Sequence, residues 1–266
     1  MRHFYCDLVG RLILGGWLLM AGIAVAEEGK EYYEIRQFVV AEDTDVERID
    51  EFLSRQMLPA LKRAGAKHVG IFAPAAGAQV QDRFAIIVSA SARDAGAVAD
   101  QLRGDSEYLA ARAAWEAAPA KETSAKAPAP YARLSGELLI AMDTMPQAKL
   151  PTGIGSEATR VYELRVYESA NEGLGDRKVE MFNSGEVPIF LDCGIEPVFL
   201  GQALLGPYAP SLTYLTAYPD DQSRLKSWEK FRQHPDWKVL SGLAKYQGTV
   251  SKIHLFLLRP LPGSEL

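Results

Sequence analysis

The chain contains an internal repeat in which residue n corresponds to residue n + 129. Residues 32–40 read YYEIRQFVV, residues 161–167 read VYELRVY, and the register continues without a gap through residue 72 of the first copy. Identical pairs along this stretch include Tyr33 and Tyr162, Glu34 and Glu163, Arg36 and Arg165, Pro59 and Pro188, Gly65 and Gly194, and Val69 and Val198. Such a repeat is longer than a solenoid unit and has the size of a small domain. We therefore expect two copies of one folding unit.

The order of elements within each copy predicts the fold. Alternating residues indicate a strand at 32–40, and apolar residues spaced by three and four indicate a helix from Val46 to Leu61. The first copy continues with strands at 68–72 and 84–89, a helical region at 95–118 and a strand at 137–142, and the second copy repeats this order and ends at 251–258. The order β-α-β-β-α-β is that of a ferredoxin-like unit. The predicted fold class is α+β, with two tandem ferredoxin-like halves.

Residues 1–26 have the pattern of a signal peptide. A short basic segment precedes the apolar stretch Leu12–Ala26, and the small residues Ala24 and Ala26 suit a signal peptidase. We expect cleavage after Ala26 and an exported protein, periplasmic or secreted, without a stable membrane anchor. The mature chain then divides into an N-terminal half (27–142), a linker (143–159) and a C-terminal half (160–266). Residues 119–130, rich in Ala, Lys and Pro, are predicted to be a mobile insertion.

Composition excludes several classes of function. The net charge is −5 and no cluster of Lys and Arg stands out, so nucleic acid is not an expected partner. Cys193 is the one cysteine after the signal peptide, which excludes an internal disulfide. The histidines of the mature chain, His68, His234 and His254, lack the spacing of metal ligands, so no metal site is predicted.

The second copy carries a family resemblance. It contains Tyr-Glu-Leu-Arg-x-Tyr at residues 162–167, a helix with Pro188 that ends at Gly194, and Trp-x-x-Phe-x-x-His-Pro-x-Trp at residues 228–237. These motifs resemble the NIPSNAP family of the dimeric α/β barrel superfamily, over residues 161–258 and, in register, over 32–142. The resemblance implies two sheets that face each other as a barrel, and tandem copies favour closure within one chain. Further association into a homo-oligomer is left open.

A candidate ligand site follows from the alternation of the strands. If apolar strand residues pack on the helices, the polar residues line the barrel. The ligand-binding candidates are Glu163, Arg165, Tyr167, Tyr214 and His254. His254 and Tyr214 could act as acid and base, and Arg165 could hold an anionic group. The alternative for Glu163 and Arg165 is a buried structural ion pair, and the alternative for His254 is a structural histidine.

Three classes of function are consistent with the sequence. The first is an exported protein that binds a small, partly apolar molecule in a barrel cavity. The second is an enzyme acting on such a molecule, either cofactor-free or dependent on haem with His254 or His234 as the axial ligand, since the superfamily contains oxygenases and haem enzymes. The third is an inert structural or interaction module. Apart from the haem alternative, no cofactor is predicted.

Overall fold

The computed structural model describes residues 29–41, 44–117 and 130–266. The predicted signal peptide lies outside these residues, as does nearly all of the predicted insertion. No helix within the described ranges has the length and apolar character needed to cross a membrane.

Eight antiparallel strands close into one barrel. Around the barrel the order is β1-β3-β2-β8-β5-β7-β6-β4, so the strands of each half are contiguous and follow β4-β1-β3-β2 and β8-β5-β7-β6. The two halves are joined at two seams, where β2 pairs with β8 and β4 pairs with β6. The strands are β1 (Tyr32–Val39), β2 (His68–Pro74), β3 (Arg83–Ser89), β4 (Arg133–Ala141), β5 (Val161–Glu168), β6 (Glu196–Leu205), β7 (Ser211–Tyr218) and β8 (Lys252–Pro260).

Helices lie on the outside of the barrel, one set against each group of four strands. In the first half they are α1 (Val46–Phe52), α2 (Leu58–Arg63), α3 (Ala92–Gly104) and α4 (Ser106–Ala117). In the second half they are α5 (Glu172–Met181), α6 (Val187–Asp192), α7 (Asp221–Gln233) and α8 (Pro235–Gly242), followed by a short 3₁₀ turn at Ala244–Tyr246. The described part of the chain is therefore α+β, as predicted.

In each half a π-helical turn comes just before the proline that the two copies share. The turns are Leu53–Met57, before Pro59, and Phe182–Glu186, before Pro188. Proline has no N–H to donate, so a widened turn at this point accommodates the lost helical bond. In the second turn Gly185 leaves the helical conformation altogether, and the helix is kinked there.

Three apolar clusters form the core. One fills the barrel interior with residues from both halves, including Tyr33, Phe72, Leu164, Phe199 and Phe256. The other two lie between the barrel wall and the outer helices, one in each half. Eight-stranded barrels have an interior just wide enough for side chains to fill, and this barrel follows that rule.

The structure corrects the predicted orientation of the strands. Leu164 and Val166 lie in the barrel interior, whereas Tyr167 and Tyr214 belong to the cluster beneath the helices. The prediction that Glu163, Arg165 and their neighbours line the barrel is therefore wrong. Both faces of these strands are buried, and the apolar residues fill the closed interior while mixed polar and aromatic residues meet the helices.

The predicted linker between the halves packs against the barrel. The backbone N–H of Ala148 donates to the buried carboxylate of Glu31 over 2.7 Å, and that of Lys149 donates to the carbonyl of Val198 over 2.8 Å. Glu31 also forms an ion pair with Lys67 at 2.7 Å. The connection thus touches both halves.

Candidate functional site

Four of the five predicted site residues come together, but on the outer face of the barrel. Glu163, Arg165 and Tyr167 project from β5 and Tyr214 from β7, where Arg165 and Tyr214 are directly paired. They lie beneath α5 to α8. His254 lies on the opposite face, because it has the same strand parity as Phe256 in the barrel interior. The five residues therefore do not share one cavity.

Glu163 is the centre of a buried polar network. Its carboxylate accepts one hydrogen bond from Arg224 Nη1 and another from Trp228 Nε1, each over 2.5 Å. Arg165 Nη1 lies 3.7 Å from the same carboxylate. The side chain of Glu163 is 1% exposed, so removal of its charge would leave Arg165 without its ion-pair partner, while Arg224 would keep only Asp221.

Arg165 is enclosed by aromatic rings. Its guanidinium carbon lies 4.2 Å from the ring centroid of Trp228 and 5.7 Å from that of Tyr167. Burial disfavours the charged form, but the nearby tyrosines and Glu163 outweigh it and hold the pKa of Arg165 above its ordinary value. Arg165 Nε is buried without an acceptor among the described residues. The arginine is thus a charged component of a packed layer.

The remaining space beneath the helices is filled by a second polar group. Tyr167 and Tyr214 share a hydrogen bond of 2.8 Å between their hydroxyls, and burial raises the pKa of both. Beside them Lys178 Nζ donates to Glu186 over 2.8 Å. Burial raises the pKa of Glu186, and Lys178 opposes that shift. Tyr214, a predicted acid or base, therefore stays protonated near neutral pH.

His254 stands at the mouth of the barrel. Its Nε2 contacts the carboxylate of Glu168, and its ring lies 4.2 Å from the ring of Tyr208, measured between centroids. The adjoining cavity in the barrel interior has a volume of only about 20 Å³, which is room for about one water molecule. The predicted ligand cavity inside the barrel is therefore too small for an organic ligand.

Glu137 lies in this interior and links the two halves. It belongs to β4, and its carboxylate accepts hydrogen bonds from Ser211 over 3.1 Å and Thr213 over 3.0 Å, both on β7. Burial raises the pKa of Glu137, against the opposing effect of these two hydrogen bonds.

The outer layer of the N-terminal half contains a pocket that the sequence analysis did not predict. Its volume is about 190 Å³, and it lies between strands β1 and β4 and the helices α1, α3 and α4. Aromatic and basic side chains dominate its walls, which include Phe38, Phe52, Tyr108, Trp115, Tyr131, Arg36 and Arg112. A larger depression of about 390 Å³ lies near Arg63 and Gln101, but its walls are mostly exposed and would bury little of a ligand.

A small residue, Ala99, helps to explain why this pocket exists. Ala99 lines it at the position that corresponds to Trp228, 129 residues later. The same offset of 129 separates Ser91 and Asp220, the N-caps of α3 and α7, so Ala99 and Trp228 occupy the same helical position.

The described histidines do not provide a haem site. His234 caps α8 through Nδ1, which accepts from Asp236 N over 3.3 Å. His254 is held by Glu168 beside a cavity of about 20 Å³. No histidine is among the residues that line the 190 Å³ pocket. The described residues also contain no group of three His, Cys, Asp or Glu side chains suited to a metal.

Several solved structures share this fold. A proposed monooxygenase from Fusobacterium nucleatum has a TM-score of 0.59 and 11% identity, over 90% of this chain and 97% of that one. A proposed monooxygenase from Lactobacillus acidophilus has a TM-score of 0.54 and 14% identity, over 87% and 94%. An anthrone oxidase-like protein has a TM-score of 0.51 and 11% identity, over 90% and 96%. At such low identity these matches establish the fold alone.

Comparison by sequence finds a family match in the C-terminal half. No curated protein matches the chain. The NIPSNAP family model matches residues 162–265, which include the Tyr-Glu-Leu-Arg-x-Tyr motif, the kinked helix and the residues around Trp228 and His234. The resemblance of residues 32–142 stays a prediction. The chain thus carries a NIPSNAP domain in its C-terminal half, within a fold similar to that of dimeric α/β barrel proteins.

Proposed function

We propose that this protein binds a small, partly apolar molecule in the outer pocket of its N-terminal half. The observation that carries the proposal is that Ala99 stands at the position that corresponds to Trp228 in the other half. The smaller side chain leaves a space of about 190 Å³ among aromatic side chains. Pockets for drug-sized ligands measure roughly 300–1,000 Å³, so the expected ligand has one or two rings.

The aromatic lining supports this site over the barrel interior. Phe52 and Trp115 are stacked, with centroids 4.1 Å apart and planes at 4°. Tyr131 lies next to Trp115, at 5.8 Å, and meets Phe38 edge-on at 5.5 Å. Ring faces and edges of this kind bury apolar ligands and also favour aromatic ones. By contrast, the network around Glu163 and Arg165 is already packed, so we assign it a structural role.

Substitution of Ala99 tests the proposal directly. Ala99→Trp places in the pocket the side chain that fills the other half. Ala97→Trp is the matched control, because Ala97 is exposed on the same helix. We expect the wild type and Ala97→Trp to bind the neutral two-ring probe 2-naphthol, measured by isothermal titration calorimetry, and to carry any co-purified small molecule in native mass spectra. Ala99→Trp should lose both. Equal binding by all three proteins would contradict the proposal.

The architecture that we propose is two ferredoxin-like halves in tandem, exported together and closed into one intramolecular barrel. The repeat register and the strand orders β4-β1-β3-β2 and β8-β5-β7-β6 support it. Separate expression of residues 27–142 and 160–266 tests it. Under the proposal the two fragments associate into a complex whose circular dichroism matches that of the intact chain. Fragments that remain apart and unfolded would argue against it.

A second candidate function is an enzyme of the kind that the neighbours' names suggest, an oxygenase that needs no cofactor. The observation that favours it is the contact of His254 with Glu168 beside Tyr208, since a carboxylate orients an imidazole that could act as a general base. Oxygen uptake with 1-naphthol as the test substrate would be expected in the wild type and lost in His254→Asn. Uptake equal to a no-protein blank, or unaffected by the substitution, would contradict this candidate.

A further inference from the structure

The chemistry of the N-terminal pocket specifies its ligand more closely, on the basis that the proposed binding function is correct. Arg36 lines the pocket with a side chain that is 15% exposed, and its Nε donates to Glu34 over 2.6 Å. Among the described residues Arg36 forms an ion pair with Glu34 alone, and this pair uses the Nε atom of the guanidinium. The two terminal nitrogens remain available, and their planar geometry matches a carboxylate.

The corresponding arginine of the other half has no such freedom. Arg165 lies against the ring of Trp228, and its counter-ion Glu163 is shared with Arg224. In the N-terminal half the positions of Trp228 and Arg224 are occupied by Ala99 and Ala95. Arg36 therefore faces a space that its counterpart fills with an aromatic ring. A ligand ring in that space would restore the contact between guanidinium and π face.

A second polar group of the pocket lacks a partner. Trp115 lines the pocket, and its Nε1 is buried without a hydrogen-bond acceptor among the described residues. An indole N–H can only donate, and an unsatisfied buried donor is costly. A ligand oxygen would satisfy it.

Each arginine of the pocket has an acidic partner, so binding of an anion depends on the free nitrogens of Arg36 and not on net charge. Arg36, Arg103 and Arg112 line the pocket with one acidic residue, Glu116. Arg112 lies at the rim, 3.7 Å from Glu116 and 45% exposed. Arg103 pairs with Asp100 outside the pocket. Tyr108 and Tyr131 are held as neutral phenols, because burial raises the pKa of each.

We infer that the pocket binds a small planar aromatic carboxylate. Its oxygens accept from the terminal nitrogens of Arg36, its ring occupies the space left by Ala99, and Trp115 supplies an additional N–H donor. The ring and the carboxylate must lie in one compact molecule, because the pocket measures about 190 Å³.

Two probes of the same shape test this inference. 2-Naphthoate carries the carboxylate, and 2-naphthamide replaces it with a neutral amide. By calorimetry the wild type should bind the naphthoate at least about tenfold more tightly, since charge-assisted bidentate hydrogen bonds are roughly twice as strong as neutral ones. The naphthoate affinity should also fall with added salt more steeply than the naphthamide affinity.

Variants at Arg36 assign the preference to one residue. Arg36→Gln should reduce naphthoate binding about tenfold or more while naphthamide binding changes by about twofold at most, and Arg36→Lys should fall between. Arg55→Gln is the control, because Arg55 is an exposed arginine of the same half that pairs with Glu51. Circular dichroism verifies that each variant is folded, and the salt dependence of the wild type provides a readout that needs no variant.

The possible failures are distinguishable. Equal binding of both probes by the wild type, or equal loss of both in Arg36→Gln, would overturn the carboxylate inference and leave the binding function intact. If 2-naphthol binds and neither carboxylate nor amide does, the inference fails in the same way. If none of the three compounds binds, the proposed function fails with it.

Discussion

The outer layers of the two halves start from the same strand register and end as different structures. In the C-terminal half Trp228 covers Arg165 and donates to Glu163, so the layer is packed. In the N-terminal half Ala99 stands in the same place, and a pocket of about 190 Å³ remains beside Arg36. The difference indicates that one large side chain decides whether an arginine on the barrel wall is covered by a ring or faces an open pocket.

The largest expected effect is on the stability of the packed half. Trp228→Ala would remove the ring over Arg165 and one donor to Glu163, and would leave a cavity. We expect a loss of about 3–5 kcal/mol in the free energy of unfolding, measured by urea denaturation. Leu225→Ala on the same helix is the control, because Leu225 is 54% exposed. A loss under about 1 kcal/mol would mean that the two outer layers do not differ in the way described.

The paired carboxylates should respond unequally. Glu163→Gln would leave Arg165 and Arg224 in a buried layer without a full counter-charge, at a cost of about 3 kcal/mol. Glu34→Gln, at the corresponding position, should cost less than about 1 kcal/mol, because Glu34 is 28% exposed and its ion pair is partly solvated. Equal losses in urea denaturation would remove the proposed distinction between a structural and an available arginine.

The contact between the halves should depend on pH. Because burial raises the pKa of Glu137 above its usual 4.5, the folded protein holds this proton more tightly than the unfolded chain does. The associated stability is fully present below pH 4.5 and is lost as the pH rises through the folded pKa. Glu137→Gln removes this dependence. The free energy of unfolding of the variant, relative to that of the wild type, should therefore rise by about 1 kcal/mol between pH 4 and pH 7.

Denaturation of the wild type and Glu137→Gln at several pH values gives the difference, with Glu229→Gln as an exposed control. A difference that is constant with pH would show that Glu137 keeps an ordinary pKa.

The smallest expected effect on stability belongs to Ala99→Trp. The new ring enters space that is already present, so the free energy of unfolding should stay within about 1 kcal/mol of the wild type. Thermal denaturation provides the measurement. A loss above about 2 kcal/mol would mean that the pocket cannot accept a ring, and the binding proposal would weaken with it.

The sequence predicted the fold class well and the orientation of the candidate site poorly. The repeat and the order of elements carried the α+β assignment, because strand and helix periods differ. Orientation failed at Leu164 and Val166, since alternation distinguishes two faces without saying which one a closed barrel turns inward. The contact of His254 with Glu168 also escaped prediction, because the two residues are 86 positions apart in the chain and meet only through the pairing of β5 with β8.

The N-terminal pocket was missed for a different reason. Sequence motifs point to residues that carry chemistry, whereas this pocket exists where a side chain is small, at Ala99. Comparison of the two copies for exchanges of large and small residues would have found it, since Ala99 and Trp228 occupy the same register.

Closure of all eight strands within one chain has a consequence for how the two layers can change. In a symmetric homodimer every substitution occurs twice, at the same place in both subunits. A residue such as Trp228 could then not be exchanged for alanine without weakening both sides of the barrel. A single chain frees each position from its counterpart. One half can keep Trp228 and the stability that it provides, while the other has Ala99 at the same position and an open pocket.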